Sequence, residues 1–427
     1  MDTLKSRLGW TAWDMGMGSA VGVLSGAASA GFLWLLGRVI RLRQEHLWLL
    51  ALLPLFGLIS AYLYRRFGKE SEGGGSLILD EVLEFRGRMR SRLAPLVLVG
   101  TLLTHLGGGS AGREGTAVQM GASLARSLGK LPFAWLRLNN SRQRLLLMAG
   151  VSAGFGSLFG TPAAGAIFGM EVIAIGKIHY EGIIICATAS MVANWVCRGL
   201  GAHPIRYMVA VPEFTGSLGL KVALFALPVA ITAGVFSEFS HWLASWTKAK
   251  FANYWTLRPM VGGAAVIALF LVLREDGYLN LGLPFLDAIF NQHSATLPWA
   301  FAAKLLITCV TIGFGFKGGE VTPIFVIGAL LGATLAPALH VPIPFLAAIG
   351  FITLAAAASN TPLASMVMGI ELFGAAFAGP LVISCFLAYV LVGHRGIYGG
   401  HRVHTAKHGW EAEKKFQDGM NDETRAE

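Results

Sequence analysis

Charged residues are scarce in this chain, and their scarcity decides the class of protein. Asp, Glu, Lys and Arg make up 14% of the 427 residues, hydrophobic residues make up 54%, and the mean hydropathy is +0.60. Soluble domains carry about 25% charged residues. The composition therefore excludes an ordinary soluble protein and predicts an integral membrane protein that crosses the bilayer several times.

Cysteine is also rare, and neither cysteine nor histidine is spaced as in a metal site. The cysteines stand singly in or beside apolar runs, where small buried packing is their expected role. They are Cys186, Cys197, Cys309 and Cys385. Four histidines near the end of the chain fit no helix face well. They are His394, His401, His404 and His408. We expect no metal and no cofactor, and we predict that residues 393–427 form a polar, solvated tail.

Basic residues outnumber acidic ones, and the formal net charge is +10. Much of the excess lies in four clusters, at residues 38–43, 65–69, 86–92 and 137–144. In a soluble protein such clusters would suggest nucleic acid, but between apolar segments the positive-inside rule assigns them to cytoplasmic loops. We therefore expect membrane lipid, and no nucleic acid, as the partner of these basic residues. We also expect the protein to lie in the bacterial inner (plasma) membrane with both termini in the cytoplasm.

Apolar segments fill the chain up to residue 392, and several are too short to cross a bilayer. The first covers residues 13–40, whereas segments 323–336 and 344–357 fall below the roughly 20 residues that a spanning helix needs. Short segments interrupted by Gly or Pro at matching places in two halves are typical of transporters with broken helices at the binding site. We predict an all-α polytopic membrane domain over residues 1–392.

An internal repeat divides that domain into two halves. The pairs that share an offset of 200 are Gly150 and Gly350, Thr161 and Thr361, Pro162 and Pro362, Gly169 and Gly369, and Glu171 and Glu371. A looser pair is Glu114-Gly-Thr116 and Glu320-Val-Thr322. We predict a first repeat over about residues 13–200 and a second over about 215–392. The residues alone leave open whether the two repeats are inverted.

Residues 106–121, LGGGSAGREGTAVQMG, place a carboxylate where a glycine run starts an apolar helix. The acidic residue that follows Glu114 along the chain is Glu171. An ionisable group at membrane depth costs about 2.5–3.5 kcal/mol on insertion scales, so Glu114 is a functional candidate by default. The simpler alternative is a glutamate that caps its own helix, because the positive end of the helix dipole favours a carboxylate.

Two enzyme motifs match the same stretch. Gly107-x-Gly109-x-x-Gly112 fits the dinucleotide fingerprint, which also needs a βαβ unit and an acidic residue about 20 positions later. No Asp or Glu occurs between Glu114 and Glu171. Gly108-x-Ser110-x-Gly112 fits a nucleophile elbow. An intramembrane serine hydrolase that uses Ser110, with His105 nearby in sequence, stays a remote alternative to a non-enzymatic protein.

An anion-binding site explains more of the sequence pattern at residues 106–121 than either enzyme motif does. Helix N-termini present unpaired N–H groups and the positive end of the dipole. Two such termini are predicted, after Gly112 and after Gly319, and both would point at one place near mid-membrane. Arg113 and Lys317 beside them either draw anions inward or extend to the membrane interface. Ionised Glu114 would compete with the anion and leave when protonated, which would couple proton movement to anion movement.

The two glycine motifs and the Thr-Pro helices resemble the CLC family of chloride channels and anion/proton antiporters over about residues 10–400. The motifs are Gly112-Arg-Glu-Gly115 and Gly318-Gly-x-x-x-Pro323. The resemblance implies a homodimer with one pathway per subunit, built from two inverted halves of short tilted helices whose broken helices meet at mid-membrane. It implies that Glu114 is the gating glutamate and that the Tyr398 hydroxyl faces the central anion. The other implied anion-binding positions are Gly112, Arg113, Gly115, Thr116, Val321 and Thr322.

Where this sequence departs from the chloride members, it resembles the fluoride-exporting CLC branch. In place of Gly-Ser-Gly-Ile-Pro, this chain has Glu72-Gly-Gly-Gly-Ser-Leu-Ile-Leu-Asp80, so Gly74, Gly75 or Ser76 takes the place of the anion-binding serine. Thr116 replaces a proline, and Glu320-Val-Thr322 departs from the usual second motif. Val172 stands where proton-coupled chloride members carry an inner glutamate. The resemblance implies a fluoride/proton antiporter that exports fluoride from the cytoplasm.

Fluoride is small and tightly hydrated, so it needs strong hydrogen-bond donors in place of its water shell. The Thr322 hydroxyl is either such a donor or an ordinary helix N-terminal group. A chloride transporter or passive anion channel of the same fold is the alternative function. Glu320 has no assigned role: it is either protonated or turned away to pair with Lys317 or Lys304.

Overall fold

The computed structural model describes residues 2–68, 74–87, 89–131, 138–202, 207–292, 296–399 and 401–407. This part of the chain contains sixteen α-helices and no β-strand. The predicted all-α membrane architecture is confirmed. Predictions that fall on Lys69, Glu72, Gly73, Arg88, Arg137 and residues 408–427 lie outside the described residues.

Eight helices come from each half of the chain. Those of the first half are α1 (Asp2–Glu45), α2 (Leu53–Phe67), α3 (Gly74–Leu83), α4 (Leu93–Leu106), α5 (Glu114–Leu128), α6 (Asn140–Phe159), α7 (Pro162–Glu171) and α8 (Ile183–Gly199). Those of the second half are α9 (Gly216–Lys250), α10 (Leu257–Leu273), α11 (Leu283–Phe290), α12 (Ala300–Gly313), α13 (Val321–Leu339), α14 (Ile343–Ser359), α15 (Pro362–Phe373) and α16 (Ala378–Leu391).

Helix lengths vary as expected for a protein with broken and tilted helices. Within the described residues, five segments are long and apolar enough to cross a membrane: Leu8–Glu45, Leu47–Phe67, Tyr180–Gly199, Gly216–Lys250 and Val321–Leu339. Six other apolar segments there have 10–17 residues. Helix α9 has 35 residues. It is therefore about 52 Å long and must tilt or extend beyond the roughly 30 Å hydrocarbon core.

Two apolar runs that look continuous in the sequence are each broken in the structure. Run 145–175 breaks where Gly160, with φ of 69°, ends α6, and Pro162 then starts α7. Run 362–392 breaks at Gly374, which has φ of 105°. Proline starts a helix well because its missing N–H is one that the first turn leaves unpaired in any case.

The Thr-Pro helix starts of the two halves have the same local geometry. Thr161 has φ and ψ of −123° and 73°, and Thr361 has −125° and 67°. The helix before Thr361 ends on Asn360, which has φ of 58°, as the helix before Thr161 ends on Gly160. The sequence pairs at an offset of 200 thus coincide with a pair of matching backbone breaks.

Glutamates of the two halves cap each other's Thr-Pro helices. The Glu171 carboxylate, on α7, accepts hydrogen bonds from the N–H groups of Leu363 and Ala364 at 3.0 and 2.7 Å. The Glu371 carboxylate, on α15, accepts from the N–H groups of Ala163 and Ala164 at 3.0 and 2.8 Å. These four N–H groups belong to the first turns of α7 and α15. N–H groups in a first turn have no acceptor within their own helix, so the carboxylates supply one.

Paired glycines let the helices behind the two predicted anion-binding termini pack backbone to backbone. A Cβ atom on Gly121 of α5 would collide with the carbonyl oxygen of Gly150 on α6. A Cβ atom on Gly328 of α13 would collide in the same way with Gly350 on α14. Small residues at such crossings allow close helix approach in membranes.

One part of the topology prediction is wrong. Basic clusters 38–43 and 65–69 lie at opposite ends of the candidate span Leu47–Phe67. The two ends of a crossing helix lie on opposite sides of the membrane, so the two clusters cannot both be cytoplasmic. Arg43, moreover, is fully buried, and its Nη2 donates a hydrogen bond to Asp276 Oδ1 at 2.5 Å.

The predicted solvated tail is also wrong for residues 394–399 and 401–407, which pack against the helices. Ile397 in this segment is only 4% exposed, and its N–H donates to the carbonyl oxygen of Ala358 at 2.8 Å. Further along, the N–H of Ile175 donates to the Arg402 carbonyl oxygen at 3.0 Å. Backbone groups at the ends of buried helices and turns need partners, and this segment supplies a donor to the Ala358 carbonyl oxygen and an acceptor to the Ile175 N–H.

Candidate functional site

The N-termini of α5 and α13 are joined by a two-residue backbone bridge. The Gly112 N–H donates to the Gly319 carbonyl oxygen at 2.6 Å, and the Gly319 N–H donates back at 2.9 Å. A Cβ atom on Gly319 would collide with the Glu114 carboxylate, and one on Gly112 would lie 2.6 Å from it. Glycine is therefore needed on both sides for this carboxylate to fit between the two chain segments.

Glu114 places its carboxylate at the meeting point of the two helix termini. Oε1 accepts a hydrogen bond from the Val321 N–H at 2.6 Å, and Oε2 accepts one from the Thr322 hydroxyl at 2.6 Å. Oε2 also accepts from the Arg113 N–H at 3.0 Å. The side chain is buried, with the residue 3% exposed. Three donors that would suit a small anion thus surround a carboxylate.

A cavity of about 200 Å³ opens on one side of this carboxylate. The sequence-predicted residues that line it are Gly75, Ser76, Glu114, Gly115, Val321 and Tyr398. The first turn of α3, which starts at Gly74, therefore faces the same space as the first turns of α5 and α13. Three helix N-termini, rather than the predicted two, meet around the cavity.

The remaining predicted anion-binding residues lie beside the cavity and not in its lining. Gly74 approaches Gln119: a Cβ atom on Gly74 would lie 3.6 Å from the Gln119 amide nitrogen. The Thr116 hydroxyl is buried against the Thr101 hydroxyl at 2.6 Å. The Arg113 guanidinium lies 5.9 Å from the centre of the Phe159 ring, and its Nε has no hydrogen-bond partner among the described residues.

Several lining residues were not predicted as part of an anion site. Gln119 is polar and lies on α5 about a turn and a half after Glu114. This position makes it a candidate for anion binding once α5 is known to face the cavity. Phe168 and Phe155 stack with ring centroids 4.0 Å apart and form an apolar wall. The pairing of aromatic residues from α6 and α7 has no signal in the sequence.

Glu320 faces the same cavity as Glu114. The ammonium groups proposed as its partners contact other groups. Lys304 donates to the carbonyl oxygens of Tyr278 and Asn280 at 2.9 and 3.1 Å. Lys317 Nζ lies 4.2 Å from the centre of the Tyr64 ring. Glu114 is solitary along the sequence but has a second carboxylate close by in space.

The Gly108-x-Ser110-x-Gly112 motif lacks the contact between serine and base that a hydrolase needs. The Ser110 hydroxyl is fully buried and hydrogen-bonds to the Thr308 hydroxyl at 2.8 Å. The His105 ring nitrogens face Asn280 at 3.3 Å and the Gly112 carbonyl oxygen at 3.5 Å. An activated serine requires a base within hydrogen-bond reach of its hydroxyl. The hydrolase alternative therefore loses its support.

Comparisons with known proteins identify the family of this chain. The family model described as "Voltage gated chloride channel" matches residues 56–393. The chain is 40% identical to a "Chloride/fluoride channel protein" of Pseudomonas syringae pv. tomato over 402 residues, which cover 92% of this chain and 87% of the relative. It is 27% identical to an "H(+)/Cl(-) exchange transporter ClcA" of Cronobacter sakazakii over 442 residues, covering 95% and 92%.

Solved structures have the same fold. The crystal structure of a CLC-type fluoride/proton antiporter matches with a TM-score of 0.88 and 33% identity, covering 92% of this chain and 98% of that one. A slow cyanobacterial Cl⁻/H⁺ antiporter matches with a TM-score of 0.79 and 21% identity, covering 90% and 96%. The family match and these relatives show that this integral membrane protein belongs to the voltage-gated chloride channel (CLC) family.

Proposed function

We propose that the protein is a fluoride/proton antiporter that exports fluoride from the cytoplasm. The observation that carries the proposal is the set of donors around Glu114: the N–H groups of Val321 and Arg113 and the Thr322 hydroxyl. Here the Glu114 carboxylate stands in for the transported anion. Helix N-termini with converging N–H groups bind anions in general.

Protonation of Glu114 connects the two transported ions. An ionised Glu114 occupies the donors and keeps an anion out of the site. Once protonated, it loses its charge and with it the stronger, charge-assisted hydrogen bonds to these donors. The side chain then leaves, and fluoride takes its place. Each exchange of carboxylate for fluoride thus requires a proton on Glu114, which couples proton movement to fluoride movement.

The donor set favours fluoride as the anion. Fluoride gives up a tightly bound water shell, so short and strong hydrogen bonds must replace it. The hydrogen bonds from Val321 and Thr322 to Glu114 are both 2.6 Å. One relative, a chloride/fluoride channel protein, and one solved structure, a fluoride/proton antiporter, are also named for fluoride. We assign fluoride binding to Val321, Thr322 and Tyr398, with Gly75 and Ser76 in the lining of the cavity.

Glu320 takes a proton in this scheme. Two carboxylates and a fluoride in one space of about 200 Å³ repel one another strongly if all are charged. We assign Glu320 the neutral form while fluoride occupies the cavity. Transport by Glu320→Gln tests this assignment, because the amide keeps the shape and removes the charge. Fluoride transport by this variant at the wild-type rate would agree with a neutral Glu320.

The direct test is proton movement driven by fluoride. Protein reconstituted into liposomes is expected to move protons when a fluoride gradient is applied, as followed by a pH electrode. Glu114→Gln is expected to abolish proton movement, because the amide cannot carry a proton in exchange. Ser110→Ala serves as a control because Ser110 lies outside the donor set. Proton movement at an unchanged rate in Glu114→Gln would refute the role of Glu114.

A chloride transporter or passive anion channel of the same fold is the second candidate. Its support is Ser76, a cavity-lining hydroxyl and one of the three candidates, with Gly74 and Gly75, for the place of the anion-binding serine of chloride members. Efflux of fluoride and of chloride from the same liposomes separates the two functions. Chloride efflux equal to fluoride efflux would reject the fluoride antiporter.

We also propose the assembly and repeat organisation that accompany this function. Residues 13–200 and 215–392 form two inverted repeats, and two subunits form a homodimer with one pathway each. The matching breaks at Thr161 and Thr361 and the matching glycine pairs support the repeat. Mass determination of the detergent-purified protein tests the homodimer.

A further inference from the structure

The segment that carries Tyr398 is attached to the C-terminal end of α14. The Ile397 N–H donates to the Ala358 carbonyl oxygen at 2.8 Å. The Asn360 side-chain amide donates to the Arg395 carbonyl oxygen at 3.0 Å. These two bonds flank the turn at Gly396 and fix the backbone that leads directly into Tyr398. The position of Tyr398 in the cavity therefore depends on the end of α14.

Lys407 also contacts the C-terminal end of α14, through Asn360. Its ammonium group donates to the Asn360 side-chain oxygen at 2.5 Å, to the Tyr389 carbonyl oxygen at 2.7 Å and to the Gly393 carbonyl oxygen. It also lies 3.7 Å from the centre of the Tyr389 ring. A cation among the carbonyl groups at helix C-termini interacts favourably with the negative end of the helix dipole.

Asn360 links Lys407 to the segment before Tyr398. An ammonium group can only donate hydrogen bonds, so Lys407 fixes which end of the Asn360 amide is the oxygen. The amide nitrogen is then directed at the Arg395 carbonyl oxygen. Without Lys407 the amide loses the partner that sets its orientation, and the bond to Arg395 is no longer enforced.

We propose that Lys407 is a positioning residue for anion transport, acting through Asn360 to hold Tyr398 at the anion cavity. The proposal rests on the fluoride-binding role assigned to Tyr398 above. It extends the transport machinery to a residue beyond α16, in a part of the chain that composition alone marks as a tail.

Arg402 supplies a matched control in the same segment. Its guanidinium pairs with Glu84 at 2.5 Å, and both side chains are exposed, at 49% and 42%. Hydrogen bonds from Arg402 and Arg86 hold the pKa of Glu84 below its usual value. Exposed ion pairs contribute little to stability. Arg402→Gln therefore removes a cation from this segment without touching Asn360.

The test compares the KM for fluoride in proteoliposomes across four variants. Lys407→Met is expected to raise the KM about threefold to tenfold, as the loss of one ordinary hydrogen bond, that from Asn360 to Arg395, would. Tyr398→Phe is expected to raise it at least as much. The double variant is expected to match Tyr398→Phe alone, because Lys407 acts only through Tyr398. Arg402→Gln is expected to keep the wild-type KM.

Asn360→Asp gives a second route if Lys407→Met is not recovered folded. Aspartate keeps an acceptor for Lys407 and tolerates the left-handed backbone conformation, but it cannot donate to Arg395. The KM for fluoride is expected to rise in this variant too. A wild-type KM in both Lys407→Met and Asn360→Asp, or a double variant with additive effects, would overturn the role of Lys407. A wild-type KM in Tyr398→Phe would instead refute the proposed fluoride site.

Discussion

Thr322 offers the sharpest single-residue test of the proposed fluoride preference. Its hydroxyl is one of the donors that a departing Glu114 would leave to fluoride. Thr322→Val removes this donor at almost constant volume. A hydrogen bond to a charged group contributes about 1.5–3 kcal/mol, so we expect fluoride affinity to fall by about tenfold or more. Isothermal titration of fluoride into the detergent-purified variant measures the change.

Thr322→Ser is the control for that experiment. Serine keeps the hydroxyl and loses only a methyl group, so its fluoride affinity should stay near the wild-type value. If Thr322→Val binds fluoride as tightly as Thr322→Ser does, the hydroxyl only completes the first turn of α13 and is not part of the fluoride site.

At the residue scale, sequence patterns identify where a helix starts better than they identify which side chains lie close together in space. The glycines around Glu114 and the acid at a helix start predicted a carboxylate at two meeting helix termini, and the structure places Glu114 there. Glu320 was left without a role because a pattern does not say which side chains share a cavity. The choice among Gly74, Gly75 and Ser76 depends on the rotation of α3, which only packing determines.

At the scale of single elements, the glycine pairs make a prediction about helix packing. Gly350→Ala forces a Cβ atom against the Gly328 carbonyl oxygen and must push α14 away from α13. Overpacking of this kind costs about 1–3 kcal/mol. We expect a lower melting temperature for the detergent-purified variant, measured by tryptophan fluorescence.

Gly31→Ala is the matched control for this substitution. A Cβ atom on Gly31, within α1, would meet nothing within 4 Å. Alanine is favoured over glycine in a helix by about 1 kcal/mol, so this variant should be as stable as the wild type or more stable. Equal melting temperatures for Gly350→Ala and Gly31→Ala would contradict tight backbone contact between α13 and α14.

The mutual caps of α7 and α15 make a second prediction at this scale. Glu371→Ala leaves the N–H groups of Ala163 and Ala164 without their carboxylate, and unsatisfied buried donors cost about 1–3 kcal/mol. We expect thermal unfolding at a lower temperature than in Glu213→Ala, a control at an exposed loop position. A melting temperature equal to that of the control would mean that other groups satisfy these donors.

At the scale of the whole molecule, the sequence aligned matching residues of the two halves, but it did not predict that the halves cap each other's helices. The offset of 200 aligned Glu171 with Glu371 and Thr161 with Thr361. Matching residues in the two halves do not reveal whether each glutamate caps the Thr-Pro helix of its own half or that of the other half. That choice depends on how the halves face each other, which is a property of the assembled fold.

This exchange predicts that the halves depend on each other. If the chain is cut between Glu213 and Phe214, each half contains a Thr-Pro helix whose capping carboxylate lies in the other half. Each half also contains one residue of the Gly112–Gly319 bridge. Unsatisfied backbone donors cost several kcal/mol in a bilayer, so either half alone should aggregate after membrane extraction. Co-expressed halves should co-purify through a tag on one of them, and less so when both Glu171 and Glu371 are alanine. A half that is monodisperse by size-exclusion chromatography without its partner would show that each half satisfies its own donors.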